Sequence, residues 1–141
     1  MTTGEFVLDP RLAADTAVLG DWSLSRVLLM NDRRYPWLIL VPRRAGASEA
    51  IDLDEASQHL LWREVMVAAH LLKSETSCRK INIGALGNVV QQLHVHIVAR
   101  NEGDEAWPGP VWGQGKPERY DGDRLAIEVQ RYQRLLQRGV A

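Results

Sequence analysis

The densest chemistry in the chain lies in Gln91–Arg100, QQLHVHIVAR. Taken at every second residue, it sets Gln92, His94 and His96 in one row and Leu93, Val95 and Ile97 in the other. A strand sends alternate side chains to opposite faces, so residues two apart share a face at roughly 7 Å spacing. The apolar row then faces a core and the polar row faces outward. Two imidazoles in line open three kinds of chemistry. They can ligate a metal, which needs a third and preferably a fourth ligand; Gln92, Cys78, Asp32, His59 and His70 are on offer, none at a telling spacing. They can attack phosphorus or carbonyl centres, because neutral imidazole is a good nucleophile near its pKa. Or they can be solvated residues on the wet face of an antiparallel sheet.

The segment in front of the strand weighs on that choice. Gly87 and Asn88 stand seven and six residues before His94. A glycine there can bend the chain so that backbone N–H groups and the Asn88 amide approach whatever His94 touches. An anion beside backbone donors and two imidazoles is a phosphate site in outline.

At these residues the sequence resembles the histidine triad (HIT) superfamily of nucleotide hydrolases and transferases. The family signature is His-φ-His-φ-His-φ-φ with φ apolar, and the corresponding stretch is Gln92-Leu93-His94-Val95-His96-Ile97-Val98. Gly87-Asn88 is similar to the Gly-Gln pair that family members carry ahead of the triad. Leu29–Arg44, LMNDRRYPWLILVPRR, resembles the family hairpin whose turn contacts the nucleoside, and Ala106-Trp107-Pro108-Gly109 resembles its C-terminal Trp-Pro segment.

The resemblance implies that His94 is the nucleophile. It would attack the α-phosphate of a nucleotidyl phosphoramidate, dinucleotide or related substrate and form a nucleotidyl-histidine that water resolves. It implies that His96 bonds a non-bridging phosphate oxygen or helps at the leaving group, and that Asn31 and Asp32 lie near the ribose or base. Asn82, Gly87, Asn88 and Val89 fall on the phosphate side. A homodimer and no cofactor are implied as well. Three positions depart from the family pattern. Gln92 replaces the first histidine and offers an amide without a titratable proton. Val89 stands where many members have a hydroxyl, and Ala45 where some have a histidine. Gln92 and Val89 keep open a second reading, a nucleotide-binding module with little catalysis. A metal site on His94 and His96 is a third.

Other elements must position these residues. Trp22–Met30 reads as a strand, Asn31–Pro36 as a turn, and Trp37–Val41 as a strand buried on both faces, together a hairpin. Apolar residues at helical spacing predict a helix from Leu53 to about Lys73, capped by Asp52 with Glu55, with His59 and His70 at its surface. Arg79–Leu86 and Leu93–Ala99 form a second hairpin around the Gly87-Asn88 turn. The glycine-, proline- and tryptophan-rich segment that follows reads as a loop laid over something. A last helix spans Arg124–Gln137, capped by Asp121 or Asp123. The expected class is α+β, an antiparallel sheet with a long helix and a C-terminal helix on one face; the resemblance implies about five strands in a HIT-like fold.

Bulk properties exclude little but exclude it cleanly. The 141 residues suit one domain spanning 1–141, 45% hydrophobic and 25% charged. A net charge of -1 implies no broad footprint for nucleic acid or an anionic membrane. One cysteine, Cys78, allows no internal disulfide and reads as a packed residue. MTTGEFVLDP lacks the pattern of a signal peptide, and no apolar run approaches the ~20 residues of a membrane helix. The cytoplasm is the expected setting.

Overall fold

A computed structural model describes residues 4–138, so the first residues of the N-terminal segment read above lie outside it. Its elements are α1 (Pro10–Asp15), β1 (Thr16–Asp21), β2 (Ser25–Met30), β3 (Trp37–Pro42), α2 (Glu55–Thr76), β4 (Lys80–Gly84), β5 (Val95–Arg100) and α3 (Gly122–Gln137). The five strands form one antiparallel sheet in the order β1-β2-β3-β5-β4. This is the α+β arrangement expected, and the two hairpins are present as β2–β3 and β4–β5.

Alternation along the strands divides the interior in two. Val27, Leu29, Leu38, Leu40, Val95 and Ile97 meet Leu61, Val65, Ala68 and Leu72 of α2 and Tyr132, Leu135 and Leu136 of α3. Both long helices therefore cover one face. On the other face Leu28, Trp37, Ile39, Val41 and Val98 pack with Leu12 of α1, Tyr35 and Val111. Every residue of β5 is buried. The polar row of the histidine strand is thus not a wet face, one of the three readings open from sequence, because α1 and the tryptophan-rich loop roof it.

Local chemistry corrects several boundaries. α2 starts at Glu55 because Asp54 accepts the Ser57 N–H at 2.7 Å. Asp52 instead serves the preceding short turn, accepting from the N–H groups of Ser48 and Glu49. Trp22–Leu24 turn the chain into β2, with the Trp22 N–H donating to the Ser25 carbonyl, so the strand begins at Ser25. Asp121 caps α3 by accepting from the Arg124 N–H. His59 and His70 are exposed on α2 and Cys78 is buried, as read from the sequence.

Candidate functional site

His94 is the last residue before β5, held at the entry of a central strand. Its Nδ1 lies 2.7 Å from the backbone carbonyl oxygen of Gln92. A carbonyl only accepts, so Nδ1 carries the proton and the lone pair of the neutral ring is on Nε2. The His94 and His96 rings stand edge to face, 4.9 Å between centroids, and both residues are buried.

His96 is set by the opposite logic. The indole N–H of Trp37 donates to His96 Nδ1 at 3.0 Å. Indole has no acceptor, so His96 carries its own proton on Nε2. Burial, with a smaller contribution from the neighbouring His94, pushes its pKa down to about 3. His96 is therefore a neutral N–H donor throughout the physiological range. Trp37 and Trp112 flank the ring at 5.7 and 5.5 Å. Gly84, opposite His96 in the sheet, makes room for this: a Cβ there would meet Trp112 Cη2 at 3.0 Å.

Both imidazoles open on a cavity of about 470 Å³. Leu86, Gly87, Asn88, Val89 and Val90 form one wall; Leu12, Asp15 and Met30 form another; Val111, Trp112 and the loop to Pro117 close it. Gly87 adopts φ +71°, a conformation that favours glycine, and so turns the chain beside His94. The only Lys or Arg among the described lining residues is Arg34, and its charge is taken. Arg34 pairs with the buried Asp32 at 2.8 Å and with Glu105 at 2.6 Å. Burial opposes ionisation of Asp32, but the Arg34 guanidinium and the backbone N–H groups of Arg34 and Glu118 outweigh it and hold the carboxyl below its usual range.

The same turn fastens the covering loop. Arg34 donates to the Gln114 carbonyl, Asp32 accepts from the Glu118 N–H, and Asn31 accepts from the Tyr120 N–H. Among the residues singled out by sequence, the structure gathers His94, His96, Gly87, Asn88, Val89 and Asp32 around one cavity. It does not bring Asn31 or Asn82 into that wall. Asn31 holds Tyr120, and the Asn82 side chain accepts from the buried Arg100 at 2.9 Å. The Gln92 amide also bonds elsewhere, to Val7 and Asp9. Among the described residues, no group of three or more His, Cys, Asp or Glu side chains comes together that could hold a metal ion.

Comparison with known proteins places this geometry. The HIT domain family matches residues 11–103, from α1 past the histidine strand. The chain belongs to the HIT family. Solved HIT relatives agree over nearly the whole length. A histidine triad protein from Bradyrhizobium japonicum is 49% identical, with 98% of this chain and 100% of that one covered and a TM-score of 0.89. One from Sinorhizobium meliloti 1021 is 48% identical over 94% and 96% of the two chains, with a TM-score of 0.87. One from Marinobacter aquaeolei VT8 is 44% identical over 96% and 98%, with a TM-score of 0.92. No curated protein matches.

Trp37, Gly84 and Leu12 were not singled out as site residues by sequence. Gly84 alone left a signal: a glycine inside the alternating RKINIGAL marks a close approach by something bulky. Trp37 contacts its histidine across 59 positions, beyond any local pattern.

Proposed function

We propose that this HIT protein is a nucleotide-binding hydrolase or transferase in which Nε2 of His94 attacks the α-phosphate of a nucleotidyl substrate. The N–P bond forms as the bond to the leaving group breaks, and water then attacks phosphorus, releasing the nucleotide and restoring the imidazole. The observation that supports this best is the 2.7 Å contact between His94 Nδ1 and the Gln92 carbonyl, which in the neutral ring puts the lone pair on Nε2. A bare HxH pair need not have its tautomers assigned. Here two different partners set them oppositely, which suits one ring to nucleophilic attack and the other to donating a neutral N–H to a phosphate oxygen. Gln92 stands at the first triad position, where its backbone carbonyl, not its side chain, serves the nucleophile. Gly87, Asn88 and Val89 contribute the phosphate-side loop; Asp32, Asn31 and Asn82 act by bracing the walls. The reaction calls for no cofactor.

Rapid quenching at acidic pH with a radiolabelled nucleoside phosphoramidate tests the reading. A labelled adduct on His94, absent in His94→Ala, is expected; multiple turnover without any adduct on His94 would sink it. Val89 favours a second reading, since it offers no hydroxyl at the mouth and is 75% exposed. Binding of nucleoside monophosphate with neither adduct nor turnover would establish that binding module instead.

We also infer a homodimer acting in the cytoplasm, each chain one HIT-like domain. Trp62 and Met66, one helical turn apart on α2, are 58% and 39% exposed, and Ile83 on edge strand β4 is 38% exposed. Apolar side chains of that size on a helix and an adjoining sheet edge fit a self-complementary contact. No described helix is long and apolar enough to cross a membrane.

A further inference from the structure

We propose that Gln92 is a positioning residue whose side-chain amide clamps Val7–Asp9 and so holds the Leu12 wall of the nucleotide cavity. The inference rests on the nucleotide reading above. Gln92 Nε2 donates to the Val7 carbonyl at 2.9 Å, and the Asp9 N–H donates to Gln92 Oε1 at 2.8 Å. Those two backbone groups flank Leu8. The amide meets them as a peptide group of a neighbouring strand would, with donor and acceptor side by side.

The clamp acts at a point where the fold is weak. α1 has six residues, too few to persist unaided, since isolated helices below ~12–15 residues are marginal. Its ends are therefore tied from outside. At the C-terminal end the Asn31 N–H donates to the Asp15 carbonyl and Arg119 donates to the Ala14 carbonyl. At the N-terminal end Asp9 caps the Arg11 N–H while its own N–H is held by Gln92. Leu12, one turn further on, is 5% exposed, packs with Trp37 and Val111, and lines the cavity that His94 and His96 open on. Through its carbonyl and its amide, one residue thus ties the nucleophile to the opposite wall. A histidine at position 92 keeps the carbonyl and loses the clamp, because imidazole carries its donor and acceptor on separate corners of the ring.

The test measures the dissociation constant of a nucleoside monophosphate by calorimetry, with KM and the pH profile of kcat beside it. Gln92→Ala is expected to weaken binding and raise KM roughly three- to tenfold, the effect of losing one part-buried hydrogen bond and one exposed one. The pH profile of kcat stays in place because the carbonyl that sets the His94 tautomer remains. Gln92→His follows Gln92→Ala. The backbone side of the clamp is tested separately. Asp9 has φ −53°, which proline adopts, so Asp9→Pro deletes the N–H while Asp9→Ala removes only the carboxylate. Asp9→Pro binds more weakly than Asp9→Ala, and that difference vanishes in the Gln92→Ala background. This pair also carries the test if Gln92→Ala does not fold. Unchanged binding in Gln92→Ala and Gln92→His, or a gain in turnover in Gln92→His, overturns the clamp and leaves the proposed reaction standing. Absence of nucleotide binding in the unsubstituted protein overturns both.

Discussion

The neutral His96 makes a quantitative prediction about acid stability. A base whose folded pKa is depressed binds its proton more readily in the unfolded chain. The stability it contributes is complete above the ordinary value of 6.5 and is lost as pH falls toward the folded value of about 3. Between about pH 7.5 and about pH 5 the folded ring stays neutral while the unfolded one takes up a proton. The loss over that window is about 2 kcal/mol, set by the 1.5-unit distance from 6.5 down to about 5. It depends little on how far below 5 the folded value lies, which makes the figure robust. His96→Gln removes the titration. Urea unfolding of both proteins at the two pH values gives the comparison, with the linear slope checking that the unfolded states match. The stability gap between wild type and His96→Gln should narrow by about 2 kcal/mol on going to the lower pH. Carboxylates titrating in both proteins cancel in the subtraction. A gap independent of pH would refute the assignment of His96 as a buried neutral donor.

Three further outcomes follow from the same geometry. Trp37→Phe leaves His96 Nδ1 without its donor, at a cost of about 1–3 kcal/mol in urea unfolding, and releases the tautomer, so kcat falls more than KM rises. Gly84→Ala crowds Trp112 Cη2 at 3.0 Å, shifting the indole slightly against His96, and weakens nucleoside monophosphate binding by no more than a few-fold, read by titration calorimetry. Asp32→Ala leaves the buried Arg34 with Glu105 as its remaining carboxylate and is expected to cost about 3 kcal/mol, read by chemical denaturation near neutral pH.

Leu93, Val95 and Ile97 made the central strand legible, and the order of hairpins and long helices followed from similar periodicity. α1 and β1 left no such trace. β1 is an edge strand with one buried residue, Leu19, and α1 is a helix of only six residues, so neither needs a strong apolar pattern. His94, His96 and the Gly87-Asn88 turn were legible because they lie within ten residues of one another in the sequence. The long-range partners of these residues were not. Trp37 reaches His96 from another strand, and Gln92 meets Val7 and Asp9 across 85 and 83 positions. The pattern also left the surroundings of the polar row open, since alternation tells which residues share a face and not what lies over it.

The turn Asn31–Arg34 grips the covering loop mainly by its main chain, at the Gln114 carbonyl and the Glu118 and Tyr120 N–H groups. Contacts of that kind are indifferent to side-chain identity, whereas the Glu105 and Glu118 carboxylates, paired with Arg34 and Arg33, are grips that depend on one. Trp112, Gln114 and Pro117, which line the cavity from that loop, can thus be exchanged without unfastening it. On that loop, fastening and lining the cavity fall largely to different residues. The shape of the cavity has a place to drift, and a protein engineer a segment to randomise, while the histidines and their tautomers stay where they are.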